Sequence, residues 1–270
     1  FHKNRMFWDG LTFNGEDSPR VDRAFIQGII NEYGKDSDVY RVRVAGEFPE
    51  AGDMQFISRA IVEQAVQRKI YEESQYSFAP KIIGVDPAWT GGDEFVIYFR
   101  QGIYSKLLAH FRKNDDDVRS AELIAKFEDN YNADAVFIDQ GYGTGLYSIG
   151  RKLNRNWELV AFGGSSSEPG YANKRAQMWG DMKDWLKQGG CIENDEILVN
   201  DLTGPEGYVT LKGDIILEKK EDMKKRGLAS PNRGDALAIT FARPVRSKRE
   251  ISLADALDGV KDEYDPLADY

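Results

Sequence analysis

Two aspartates are placed where their carboxylates could form part of an active site. Asp86 and Asp139 each follow an apolar run, Ile-Ile-Gly-Val and Val-Phe-Ile, that predicts a short buried strand. Reactive groups in open α/β sheets collect beyond the carboxyl ends of the strands. If the two strands are neighbours, the carboxylates repel each other and need a cation between them. Oxygen ligands of this kind suit a hard divalent ion such as Mg²⁺ or Mn²⁺.

A third aspartate, Asp235, begins a predicted helix in Ser230-Pro-Asn-Arg-Gly-Asp-Ala-Leu-Ala. It shares a helical face with apolar residues, so its carboxylate is either a partner of the helix dipole or a buried ligand. For Asp86 and Asp139 the alternative is a cap on the following helix or turn. Together the three predict an acidic metal cluster. Asp93, in a Gly-Gly-Asp sequence, is either an outer ligand or a turn residue.

Other chemistries are excluded by composition. The chain has two histidines and a single cysteine, Cys191, so a histidine-rich zinc site and a disulfide within the chain are ruled out. No G-x-x-x-x-G-K-[ST] sequence occurs, and the glycine-rich stretch after Asp139 lacks the G-x-G-x-x-G spacing. Its glycines either offer amides to a phosphate or let the chain turn. Without a histidine or cysteine placed as a nucleophile, metal-bound hydroxide is favoured for a hydrolysis.

The net charge of −9 is unevenly distributed along the 270 residues. The last 21 residues carry seven acids and one base, whereas basic clusters occur at 151–155, 219–226 and 243–249. Local fields steer charged partners more than the total does, so a nucleic-acid partner is compatible with this chain, although each cluster alone also fits a solvated helix face. No apolar run reaches the roughly 18 residues of a membrane span, so no membrane partner is predicted.

An alternation of strands and helices must position these aspartates. Before residue 72 the pattern predicts a helix over 21–33, a strand over Tyr40–Val44 and a helix over 58–71. From residue 80 it predicts a mixed sheet flanked by helices. The predicted strands are 81–86, 94–100, 103–111, 135–139 and 157–162. The predicted helices are 118–131, one that follows the glycine-rich turn after Asp139 and ends near Leu153, 173–186 and one opened by Ser230-Pro231, and a hairpin joins 208–211 to 215–217.

In their order and spacing, these segments resemble the nuclease domain of the large terminase subunit of tailed bacteriophages and prophages. The resemblance covers about residues 36–243. It is carried by Gly84-Val-Asp-Pro-Ala with Gly91-Gly-Asp, by Phe137-Ile-Asp, by Arg226-Gly with 230–238, and by Tyr40–Pro49, which is similar to the segment that leaves the family's ATPase domain.

The resemblance implies a ribonuclease H-like α/β fold and an endonuclease that cuts concatemeric double-stranded viral DNA. Asp86, Asp139 and Asp235 would hold two Mg²⁺ or Mn²⁺ ions. The hairpin and the basic run after it would follow the DNA. The DNA-binding residues expected on this basis are Lys212, Lys219, Lys220, Lys224, Lys225, Arg226 and Arg233.

The resemblance also implies a domain plan and partners. Residues 1–49 would be the end of an ATPase domain, 50–78 a linker, 79–243 the nuclease domain and 244–270 an acidic tail, so the chain would be the carboxyl-terminal portion of the subunit. The portal protein and the small terminase subunit would be its partners in the host cytoplasm.

Two alternatives stay open at this point. The chain could be another ribonuclease H-like nuclease of the junction-resolvase type. It could instead be a non-catalytic docking module of the packaging motor, whose tail presents Leu253, Ala256 and Leu257 at helical spacing or has no fixed structure.

Overall fold

The computed structural model describes residues 12–35, 40–47, 55–88, 93–112 and 116–248. The chain forms two compact units, Phe1–Met54 and Gln55–Tyr270. In the first unit, helix α1 spans Arg23–Tyr33 and begins at Asp22, whose side chain accepts a hydrogen bond from the Ala24 N–H at 2.8 Å. Residues 1–11 and residues 249–270 of the predicted acidic tail lie outside the described residues.

The strand expected over Tyr40–Val44 is wrong. Arg41–Ala45 form a short π-helical segment instead. Tyr40, Val44 and Ala45 are buried with Ile26 and Ile29 of α1, a spacing that suits a helical turn rather than a strand. An alternation over only five residues does not distinguish a strand from a helical turn. The helical turn buries Tyr40 together with Val44 and Ala45, four and five residues later.

The second unit contains six helices longer than six residues and seven strands among its described residues. Their bounds are α2 Arg59–Gln67, β1 Lys81–Asp86, β2 Glu94–Gln101, β3 Tyr104–Arg112, α3 Asp117–Tyr131, β4 Ala135–Asp139, α4 Gln140–Lys152, β5 Glu158–Val160, α5 Lys174–Lys187, α6 Glu196–Thr203, β6 Gly207–Val209, β7 Ile215–Leu217, the six-residue α7 Lys220–Lys225 and α8 Asn232–Ala238.

Five of these strands form one mixed sheet in the order β3-β2-β1-β4-β5. Strand β2 pairs antiparallel with both β1 and β3, and β2 and β3 form the predicted hairpin. Strand β4 pairs parallel with both β1 and β5. The remaining two strands, β6 and β7, form a separate antiparallel hairpin, as predicted. The expected α/β class with a mixed central sheet is therefore confirmed.

Helices cover both faces of the sheet. Alternate side chains of each strand point to opposite faces, so each strand contributes to both cores. On one face Ile83 and Val85 of β1 pack with α3 and α4, and on the other Ile82 packs with α5 and α8. Such two-sided burial explains why the strands read as continuous apolar runs. Among the described residues, no helix is both long enough and apolar enough to cross a membrane.

From Gln55 onward, the stretch predicted as a linker, 50–78, belongs to the second compact unit. Helix α2 buries Val62 and Ala65 in the same core as α5 and α8, and Ile57 just before it is fully buried. These apolar positions anchor the segment to the second unit, although its surface side is as polar as a linker would be. The other domain limits expected from the sequence stay predictions.

Helix α8 begins one residue later than predicted. Pro231 rather than Ser230 occupies the cap position, and Pro231 makes no capping side-chain hydrogen bond. The cap comes from another helix, because Oδ2 of Asp201 in α6 accepts the N–H groups of Arg233 at 2.8 Å and Gly234 at 3.3 Å. This contact fixes the start of the helix that carries Asp235.

Candidate active site

Asp86 and Asp139 end neighbouring strands at the same edge of the sheet. Strand β1 lies parallel to β4, and Val85 is paired with Ile138, the residue before Asp139. Asp86 is buried and Asp139 is half-buried. The expectation that the two strands are neighbours is confirmed.

Asp139 also caps the helix that follows it. Its Oδ1 accepts the Gly141 N–H at 3.3 Å, and the glycine-rich stretch read as a turn is the first part of α4. The cap that was weighed as an alternative is thus present. It engages Oδ1, which leaves Oδ2 for other partners.

Asp235 reaches this edge because α8 lies very close to β1. A Cβ atom on Gly84 would collide with the carbonyl oxygen of Ala236, so only glycine permits this approach. Asp235 is fully buried. Its carboxylate and that of Asp86 share one ammonium group: Nζ of Lys220 lies 2.9 Å from Oδ2 of Asp235 and 4.0 Å from Oδ2 of Asp86.

Two further side chains from α5 contact Asp235. Arg175 Nε donates to Oδ1 at 3.0 Å and Arg175 Nη2 to Oδ2 at 3.4 Å, while Trp179 Nε1 donates to Oδ1 at 2.9 Å. Sequence reasoning missed both residues. The available signal was an arginine on the inner face of a helix whose other inward residues are mostly apolar, since a buried guanidinium requires an acidic partner.

The pKa values at this edge indicate a shortage of positive charge. Burial raises the pKa of Asp86 well above its usual range. The Lys220 charge lowers this pKa, and the negative charges of Asp235 and Asp139 raise it further. Burial also raises the pKa of Asp139, although the Gly141 N–H and Lys220 oppose it. A further cation would favour the ionised form of both groups.

Asp235 and Lys220 behave as an ion pair. Burial raises the pKa of Asp235, but the charges and hydrogen bonds of Arg175 and Lys220 outweigh it, and the pKa is lowered. Burial lowers the pKa of Lys220, but Asp235 and Asp86 outweigh it, and the pKa is raised. The ammonium group of Lys220 is therefore charged and provides the positive charge between the two carboxylates.

The residues fit a hard divalent cation by donor chemistry, since the acidic groups at this edge offer only carboxylate oxygens. Within the described ranges, no three histidine, cysteine, aspartate or glutamate side chains converge into a ready-made metal cage. Lys220 lies between two of the three carboxylates and represents the charge that a metal ion would bring. That Asp86, Asp139 and Asp235 would hold such an ion stays a prediction.

The other predicted site residues are distributed over the surface and the core. Asp93 faces Lys224, with 3.6 Å between Oδ1 and Nζ. The remaining expected DNA-binding side chains on the surface are Lys212, Lys219, Lys225 and Arg226. Arg226 is already paired, since its guanidinium contacts Glu218 and Glu206.

Two of the expected DNA-binding residues lie elsewhere. Arg233 is 5% exposed and its guanidinium contacts Asp195 and Glu94, so it is part of the core rather than of a DNA surface. Lys220 is half-buried, and its ammonium group contacts the carboxylates. Both corrections have one cause: a basic run in the sequence does not show which of its side chains find an acidic partner inside.

The five-stranded mixed sheet, with helices on both faces and aspartates at the carboxyl edge, defines the ribonuclease H-like class of folds. No family model matches the chain. A segment of 61 residues is 41% identical to the probable large terminase subunit of Enterobacteria phage P7, and the match spans 22% of this chain and 12% of that protein.

Solved structures give a longer match. The nuclease domain of the large terminase subunit gp2 of bacterial virus Sf6 has a TM-score of 0.55 at 20% identity, over 71% of this chain and 99% of that domain. The large terminase nuclease of thermophilic phage G20c has a TM-score of 0.52 at 12% identity, over 68% and 96%. The chain has the fold of large terminase nuclease domains, and the resemblance seen in the sequence is confirmed.

Proposed function

We propose that this chain is a divalent-metal-dependent DNA endonuclease that cuts concatemeric double-stranded DNA during viral DNA packaging. The observation that carries the proposal is the pair of buried carboxylates, Asp86 and Asp235, which share one cation at the sheet edge where Asp139 also ends its strand. The fold match to terminase nucleases supports it. Related domains of Sf6 gp2 and the G20c nuclease have been solved with manganese and with magnesium.

Hydrolysis of a phosphodiester needs a water-derived nucleophile, neutralisation of the developing charge and stabilisation of the leaving oxygen. Bound Mg²⁺ or Mn²⁺, and two ions in the arrangement that we favour, would supply these functions. The protein contributes the carboxylates that would hold the ions. Asp86 and Asp139 are fixed by the backbone of adjacent strands, and Asp235 is fixed by Arg175 and Trp179.

DNA would approach over the exposed lysines of the hairpin and of α7. Lys212 lies in the connection between β6 and β7, and Lys219, Lys224 and Lys225 are exposed next to or within α7. Lysine ammonium groups contact phosphates without reading bases, so binding would be sensitive to salt and nearly independent of sequence.

The assembly partners belong to the same proposal. A nuclease of this kind would work with the portal protein and the small terminase subunit in the host cytoplasm. The 61-residue match to a phage large terminase supports this assignment.

The proposal is tested by plasmid cleavage with Mg²⁺ or Mn²⁺. Asp86→Asn, Asp139→Asn and Asp235→Asn keep side-chain size and remove the charge, and each should lower the cleavage rate by about 100-fold or more, because a metal ligand is lost. Asp184→Asn is the matched control, since Asp184 is exposed and its carboxylate pairs with Lys187 on the same helix. Equal cleavage by all four variants would contradict the site. A preference for four-way junctions over linear duplex would favour the resolvase alternative.

A further inference from the structure

We propose that Arg175 and Trp179 are positioning residues that orient Asp235 so that its Oδ2 atom is directed to the cation. The proposal rests on the proposed metal-dependent function. It concerns the two oxygens of Asp235, which have different surroundings in this structure.

Oδ1 of Asp235 is fully engaged by the protein. It accepts hydrogen bonds from Arg175 Nε at 3.0 Å and from Trp179 Nε1 at 2.9 Å. Oδ2 has one long contact with Arg175 Nη2 at 3.4 Å, and its short contact is with the Lys220 ammonium at 2.9 Å. The Lys220 ammonium thus contacts Oδ2, the oxygen that accepts no hydrogen bond from the Trp179 indole.

The two donors cannot easily turn away. Arg175 and Trp179 are four residues apart on α5, hence on the same helical face, and both are buried. A Cβ on Gly234, next to Asp235, would come within 2.9 Å of the indole, and the Phe56 ring packs edge-on at 6.5 Å. These contacts hold the Trp179 ring in one orientation, in which its N–H points at Oδ1 of Asp235.

Arg175 extends this support to the segment that carries Lys220. Its Nη1 donates to the Glu218 carbonyl at 3.1 Å, two residues before Lys220. One guanidinium therefore fixes both the carboxylate and the chain that brings the ammonium to it. Partners behind a ligand commonly set its orientation, and their loss lowers metal affinity by about 10- to 100-fold.

A purely structural role is the competing explanation, because a buried carboxylate needs donors whether or not a metal binds. Trp185 provides the matched control. It lies on the same helix, and its Nε1 donates to the Gly102 carbonyl at 2.7 Å rather than to a carboxylate. Trp179→Phe and Trp185→Phe remove the same hydrogen-bond donor from two sites.

The experiment measures Mn²⁺ binding by calorimetry and, without metal, the melting temperature of each protein. We expect Trp179→Phe to weaken Mn²⁺ binding by about tenfold or more, with a change below about twofold for Trp185→Phe, even where both lower the melting temperature. Equal Mn²⁺ affinity of Trp179→Phe and wild type would overturn the inference and leave the proposed function standing. No Mn²⁺ binding by the wild type would overturn both.

A size-matched pair covers the case in which Trp179→Phe does not fold. Benzothienylalanine at position 179 replaces the indole N–H by sulfur at nearly constant shape, and fluorotryptophan at the same position keeps the N–H. The inference expects wild-type Mn²⁺ affinity with fluorotryptophan and a loss of about tenfold with benzothienylalanine. The same affinity for both would contradict it.

Discussion

Lys220 Nζ lies 2.9 Å from Oδ2 of Asp235 and 4.0 Å from Oδ2 of Asp86, so one ammonium group stabilises two buried carboxylates. A divalent ion at the same carboxylates would compete with this contact. The metal-free and metal-bound forms are therefore expected to differ in how much each depends on Lys220.

Lys220→Gln should reveal this dependence. Without metal the variant leaves two buried carboxylates without their ammonium, which should cost about 1–3 kcal/mol of unfolding free energy after allowance for the partial exposure of the lysine. Saturating Mn²⁺ should raise the melting temperature of the variant more than that of the wild type. Lys224→Gln, one turn along α7 and facing the half-buried Asp93, is the control. An equal Mn²⁺ effect in all three proteins would argue against competition at this position.

Asp201 should make the protein less stable as the pH rises. Burial raises its pKa to about 7, together with the Asp235 charge and against the Arg233 and Gly234 N–H groups. Between the unfolded value near 4 and this value, the folded state binds more protons than the unfolded state, so stability falls as pH rises through this window.

Asp201→Asn removes the charge and keeps one oxygen to accept both backbone N–H groups. At pH 8 the variant should exceed the wild type by on the order of 2–4 kcal/mol, and at pH 4 the two should be similar. Urea denaturation at both pH values measures this. Asp181, whose pKa burial raises to about 6, adds a slope of the same sign in both proteins. A variant that is less stable at pH 8 would show that the charged form is favoured.

Gly84→Ala should separate β1 from α8. The added methyl group would collide with the Ala236 carbonyl, and overpacking of this kind costs about 1–3 kcal/mol. Because Asp86 and Asp235 lie on the two elements that are forced apart, Mn²⁺ affinity should fall as well. Gly163→Ala serves as the control, since a Cβ there meets nothing within 4 Å. Thermal melts and calorimetry measure both effects, and an unaltered melting temperature would contradict the close approach.

The exposed lysines should govern the salt dependence of DNA binding. Replacing Lys212, Lys219 or Lys225 by glutamine should each lower the slope of log affinity against log salt by about 0.9 if the lysine contacts a phosphate. Lys187→Gln on α5 is the comparison, since this exposed lysine pairs with Asp184 away from the hairpin. Fluorescence anisotropy with a DNA duplex gives the slopes. If Lys187→Gln lowers the salt slope as much as the other variants do, the DNA does not bind preferentially along the hairpin and α7.

The strands and their aspartates were predictable because local patterns determine them. Buried parallel strands read as apolar runs, so Asp86 and Asp139 could be placed at the strand ends and, through the mixed sheet, next to each other. The strand expected over Tyr40–Val44 failed because five residues are too few to distinguish alternation from a helical turn.

The partners of Asp235 could not be predicted in the same way. Lys220 belongs to a run of basic residues, and only the tertiary fold shows that it faces inward while Lys219 faces the solvent. Arg175 and Trp179 lie 56 to 60 residues from Asp235 in the sequence, so their contacts depend on how α5 packs against α8. The residues that hold a ligand in place are thus harder to read from a sequence than the ligand itself.

The most direct test of the central claim is an anomalous difference map from crystals of the wild-type protein soaked in Mn²⁺. We expect peaks within coordination distance of Asp86 and Asp235, with Asp139 as a further ligand and with the Lys220 ammonium displaced from its contact with Asp235. A map without a peak at these carboxylates at saturating Mn²⁺, with Lys220 still paired to Asp235, would contradict the metal-dependent nuclease site.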